Sequence, residues 1–113
     1  MKIRIASVTV DDQEKALRFY TEKLGFTKMA DIPMGPTYRW LTVVSPEGVH
    51  GVELALEPIG FEPARVYQKA LFDAGIPATA FVSDHIEDEV ARLKARGVVF
   101  RGAIGLQLQQ VRQ

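Results

Sequence analysis

"DDQEKALRFYTEKLGF", residues 11 to 26, is the stretch whose reading decides the fold. Two acids precede apolar residues at helical spacing: Ala16, Phe19, Tyr20 and Leu24 fall on one stripe, with Leu17 beside it. Asp11 stands three residues before Glu14, an Asp version of the capping box, in which the acid accepts an orphan N–H of the first turn and the Glu reaches back. Gly25 fits a left-handed helix end. The spacing predicts a helix over 12–24. Just before it, "KIRIASVTV" (2–10) alternates as a strand does, with Ile3, Ile5, Ser7 and Thr9 on one face and Ala6, Val8 and Val10 on the other.

A looser copy of this unit lies near the far end, "SDHIEDEVARLKARGVVF" (83–100). Asp84 and Glu87 repeat the capping box, Ile86, Val90 and Leu93 form the stripe, and Gly97 closes a helix expected over 85–96. "ATAFVS" reads as the preceding strand and "VVF" as the start of the next. Asp11 and Asp84 are 73 residues apart, Gly25 and Gly97 are 72 apart. Capping boxes and amphipathic helices recur widely, so the pattern alone does not separate duplication from coincidence.

Between the copies, "TKMADI" is a weak strand and "TYRWLTVV" (37–44) a strong one, β-branched and aromatic, with Tyr38, Trp40 and Thr42 opposite Leu41 and Val43. "VELALE" (52–57) sets Val52, Leu54 and Leu56 opposite Glu53 and Ala55. Residues 58–77 form a connector with a short helix in "EPARVYQKALFDAG", ended by Gly75 and Pro77. The core expected from these stripes is Phe19, Tyr20, Leu24, Leu54, Phe81, Val90 and Leu93.

The bulk properties bound the function. At 113 residues, one domain can bury a core without staples. Lys plus Arg and Asp plus Glu both total 14, so no basic face is expected and nucleic acid is a poor partner. The absence of cysteine removes disulfides, thiol catalysis and thiolate metal sites. No 18-residue apolar run or secretory h-region occurs, so no membrane span is expected and a cytoplasmic protein is the default.

The blocks "VDDQEKALRFYTEKLGF", "VELALEP" and "AFVSDHIEDEVARLKARGVVF" resemble the vicinal oxygen chelate superfamily, which includes glyoxalase I, bleomycin- and fosfomycin-resistance proteins and extradiol dioxygenases. The resemblance spans most of residues 2 to 100. It implies an α+β fold of paired βαβββ modules whose sheets curl into a cup around a small molecule. Module one would be about 1–57, the connector 58–77 and module two 78–113, all within one domain. "GLQL" (105–108) echoes "GVEL" (51–54), so module two is short by about a hairpin between Phe100 and Gly105. A cup lacking that wall would expose apolar sheet, which favours a segment missing from this sequence over a true loss.

In the metal-using members each of four strands gives a ligand. The matching positions here are Ile5, Glu53, Ala78 and Gln107, one carboxylate and one amide, too few donors for tight Zn²⁺, Ni²⁺ or Fe²⁺. No metal or other cofactor is therefore expected. His50 falls in a turn, and His85, at a helix start, could clip a metal only with Glu89. Glu53 is the candidate catalytic residue, a general base or ligand anchor with Gln107 beside it; the plainer reading is a vestigial acid held by Ser7, Thr9 or buried water. Ser7, Tyr38, Trp40 and Thr42 are the other candidate ligand contacts, although Trp40 could equally be core.

Three functions remain open. The first is a small-molecule-binding protein without the metal, the second a metal-dependent lyase, isomerase or dioxygenase with an altered site. The third is a ferredoxin-like structural or regulatory dimer. A homodimer is expected from the resemblance and from the zero net charge.

Overall fold

The computed structural model describes residues 1–100. The chain runs β1 (Ile5–Val10), α1 (Gln13–Arg18) continued by a π-helical turn (Phe19–Lys23), β2 (Thr27–Pro33), β3 (Arg39–Val44), β4 (Glu53–Pro58), α2 (Glu62–Ala74) and α3 (Ile86–Ala95). The four strands form one mixed sheet in the order β1-β4-β3-β2. β1 and β4 are parallel, and α1 carries the chain from β1 across the sheet to β2; the other two pairs are antiparallel. This is an α+β fold.

Alternation decides which face α1 covers. Val8, Val10, Leu41, Val43 and Leu56 are buried with Ala16 and Tyr20 in one cluster, and Leu17, Phe19, Leu24, Phe26, Leu54 and Phe81 pack against it half-buried. Tyr20, Phe26 and Phe81 meet pairwise at ring separations of 5.5 to 6.4 Å, a geometry that adds to simple burial. Of the expected core, Tyr20, Val90 and Leu93 are buried, while Phe19, Leu24, Leu54 and Phe81 sit at its margin.

Several local expectations are corrected. The first cap is Asp12, not Asp11: Asp12 is still extended (φ −144°, ψ 113°) and its carboxylate accepts the Lys15 N–H at 2.9 Å. Glu14 does not reach back; it pairs with Arg39. The helix over 12–24 is not uniform, because its last turn widens so that the Leu24 N–H bonds the Phe19 carbonyl five residues back. Leu17, placed beside the stripe, packs against the core as Phe19 does. In the second unit His85 occupies the cap position and its side chain makes no capping bond. "ATAFVS" forms no strand, although Phe81 within it still packs on Tyr20, and of "VVF" only Phe100 makes an isolated bridge. The connector helix is longer than expected, 13 residues. The expected gap after Phe100, and Gln107, lie outside the described residues.

The two helix ends clasp each other. The Lys23 ammonium donates to the Arg96 carbonyl, and the Arg96 guanidinium donates back to the Lys23 carbonyl at 2.8 Å, each bond spanning 73 residues. Cations suit the carbonyl-rich end of a helix. Gly25 (φ 80°) and Gly97 (φ 86°) turn the chain just beyond, and a Cβ on either would meet the opposite cation at 3.6 to 3.8 Å.

Candidate functional site

The face turned away from α1 is organised in rows, because residues paired across strands share a face. Ser7, Ala55, Thr42 and Ala30 form one row across all four strands. Along β4, Glu53 and Glu57 flank Ala55 on the same face, with Ile5 and Thr9 as their partners on β1. Trp40 sits two residues from Thr42 on the same face, beside Ile32 on β2. The row is therefore one of small side chains, with acids along β4 and an aromatic, Trp40, on β3.

Glu53 is drawn into this face by a specific partner. Its side chain is only 14% exposed, so the carboxylate needs hydrogen bonds. The Thr42 hydroxyl supplies one, donating to Glu53 Oε1 at 2.6 Å. The same hydroxyl accepts the Ala30 N–H at 3.1 Å, at the point where the β2–β3 register slips. Thr42, fully buried, thus holds both a β-bulge and the carboxylate. Glu53 Oε2 lies 4.0 Å from the guanidinium of Arg4, whose side chain is largely in solvent.

The candidate residues are not all alike. Glu53, Thr42, Trp40 and Ser7 share the face, but Ser7 and Thr9 do not hold Glu53; Thr42 does. Thr42 is buried beneath the site rather than lining it, and Tyr38 precedes β3 and lies outside the sheet. Glu57, on the site's face, was missed: its place at the strand end gave no motif, and only the period of two along β4 could have pointed to it.

Of the four metal positions, Ile5, Glu53 and Ala78 lie among the described residues, and those three do not assemble a donor set. Ile5 is the register partner of Glu53 and brings hydrocarbon where an imidazole would be needed; Ala78 is exposed and outside any strand. Among the described residues no three His, Cys, Asp or Glu side chains converge. A single carboxylate with a hydroxyl does not fit Zn²⁺, Ni²⁺ or Fe²⁺.

A second feature shapes the same sheet from behind. β3 and β4 are in register only at Thr42–Ala55 and Val43–Leu54. Beyond that point the buried Gln13 amide bridges them, donating to the Arg39 carbonyl at 2.7 Å and the Leu56 carbonyl at 2.9 Å, while its oxygen accepts the Arg39 N–H at 3.3 Å. The Arg39 side chain then grips Asp31 with two bonds (3.0 and 2.9 Å) and Glu14 with a third (2.8 Å). This guanidinium holds the Asp31 carboxyl below its ordinary range, chiefly through those bonds, with Lys28 adding to the effect. Among the described residues no helix is long and apolar enough to cross a membrane.

Known proteins carry the same sequence pattern and fold. An uncharacterized protein of Bacillus subtilis strain 168, YurT, is 52% identical over 100 residues, covering 88% of this chain and 78% of its own. The crystal structure of UcmS2 superposes with a TM-score of 0.74 at 30% identity, covering 88% of this chain and 77% of that one. TnmS3, an antibiotic binding protein from Streptomyces sp. CB03234, superposes at 0.65 with 30% identity, covering 93% and 78%. The model of the Glyoxalase/Bleomycin resistance protein/Dioxygenase superfamily matches residues 2–112, and the chain belongs to that superfamily.

Proposed function

We propose that this protein binds a small, partly apolar molecule over this face of the sheet, within a cup formed by two modules, with Glu53 anchoring a cationic or hydrogen-bond-donating group of the ligand. The observation that carries the reading is the Glu53 carboxylate, nearly buried on the face free of α1 and held there by Thr42. Trp40 supplies an aromatic surface on the same face. A similar structure is that of an antibiotic binding protein, which supports the choice of ligand class. The reciprocal clasp between Lys23 and Arg96, with its repeat-length spacing, supports two related modules. The single-carboxylate donor set favours binding without a transition metal over metal-dependent lyase, isomerase or dioxygenase chemistry.

The test is a fluorescence titration of Trp40, the single tryptophan, with a panel of antibiotics that includes bleomycin. A ligand that saturates wild type should bind Glu53→Gln about tenfold to a hundredfold more weakly, the equivalent of a charged hydrogen bond. Equal affinity for both proteins would remove Glu53 from the site. Stoichiometric Zn²⁺, Ni²⁺ or Fe²⁺ bound through Glu53 in purified protein would favour the metalloenzyme instead. The chain should form a two-fold homodimer, and a monomer mass by light scattering at micromolar concentration would reject that part.

A further inference from the structure

We infer that Thr42 is a positioning residue that decides which oxygen of Glu53 meets the ligand, so that recognition runs through Oε2 and takes a ligand bearing a donor such as an ammonium group. The inference rests on the cup-binding role proposed for Glu53. A threonine hydroxyl has one proton. Because the Ala30 N–H can only donate, Thr42 Oγ1 must accept from it, and its proton is left for Glu53 Oε1. Both bonds are made inside a side chain with no solvent exposure, so water does not compete for the hydroxyl. Oε1 is therefore tied to the sheet, and Oε2 is the oxygen that remains to be met.

The molecule already shows what Oε2 attracts. Among the described residues the one ion pair at Glu53 is Arg4, and it approaches Oε2 at 4.0 Å rather than Oε1. Arg4 is 76% exposed in its side chain, so this long pair holds it weakly and a ligand cation can replace it. Thr42 touches no ligand in this scheme. It acts by freezing the Glu53 rotamer before binding, which removes an ordering cost from association.

Benzylamine and benzoate are suitable probes, having the same ring and opposite polarity. In NMR titrations of the whole protein, benzylamine should shift the Glu53 and Ala55 amides saturably and benzoate should not. Thr42→Val, nearly isosteric, should weaken benzylamine about three- to tenfold, the equivalent of ordering one side chain on binding. Thr42→Ser, which keeps the hydroxyl, should restore it. The decisive comparison is a double-mutant cycle: the Thr42→Val loss should disappear in the Glu53→Gln background, since Thr42 acts through that carboxylate. An equal loss in both backgrounds would mean a merely structural role and overturn the inference.

The hydroxyl's orientation is read separately, without ligand, from the Ala30 amide. It should lose exchange protection and move upfield in Thr42→Val and not in Thr42→Ser. An unchanged Ala30 amide overturns the inference while leaving Glu53 binding intact. If wild type fails to bind benzylamine at all, the donor-binding role of Glu53 falls and takes this inference with it, whatever the Ala30 amide reports. Spectra of the variants that keep the dispersion of the folded protein exclude unfolding as the cause of any loss.

Discussion

Replacing Gln13 should loosen the sheet more than any other single polar change on the α1 side. Gln13 is 9% exposed and fills a gap that β-ladder pairing leaves open, satisfying two carbonyls and one N–H of strands that have already diverged. Gln13→Leu keeps most of the volume and removes all three bonds. A buried polar group left without a partner costs roughly 1–3 kcal/mol. Arg39 begins β3 and its two bonds are only part-buried, so water can recover part of the loss there, whereas the Leu56 carbonyl is buried in the inner strand β4. The net cost should be about 2–4 kcal/mol, a large share of the roughly 5–15 kcal/mol by which domains are stable. Gln13→Glu should be worse at neutral pH, because a carboxylate would face two carbonyl oxygens with no proton to offer. Its penalty should shrink on acidification, when a protonated carboxyl can donate to one of them. Urea unfolding followed by Trp40 fluorescence, at pH 7 and pH 4, measures both variants. A Gln13→Leu cost below about 0.5 kcal/mol would show that the strands need no side-chain bridge. A Gln13→Glu penalty that grows toward acid would refute the donor argument itself.

Asp31 should contribute stability that depends on pH. Arg39 holds its folded-state pKa below the unfolded value, so the contribution is complete above the ordinary carboxylate range and is lost as pH falls through and below about 4. The stability gap between wild type and Asp31→Asn should therefore be wide at pH 7 and shrink progressively as pH falls below about 4; a gap independent of pH would mean that the paired bonds to Arg39 do not persist in solution. Leu93, 1% exposed, anchors α3, and Leu93→Ala should cost roughly 2–5 kcal/mol in the same urea assay. A loss under about 0.5 kcal/mol would mean that α3 does not bury that face.

The local code of this chain is legible in its amino-acid sequence alone. The stripe of Ala16 and Tyr20, the alternation of "TVV" and "LALE", and the glycines at 25, 75 and 97 are each set by neighbours within a few residues, and each stands in the fold where its pattern puts it. The same rule of two places Glu53 on the free face. Boundaries are less legible: whether Asp11 or Asp12 caps α1 depends on where β1 releases the chain, and "ATAFVS" has strand composition but no partner strand among the described residues. What only the tertiary structure decided are contacts between distant segments. By sequence Gln13 is an ordinary first-turn residue; the divergence of β3 and β4 around it makes it a bridge. By sequence Thr42 is a cavity residue; the slip in β2 turns the Ala30 N–H onto its hydroxyl and leaves one proton for Glu53. A sequence pattern assigns a side chain to a face, but the partner that fixes a polar group is chosen by packing between strands, and that choice decides what the group can do.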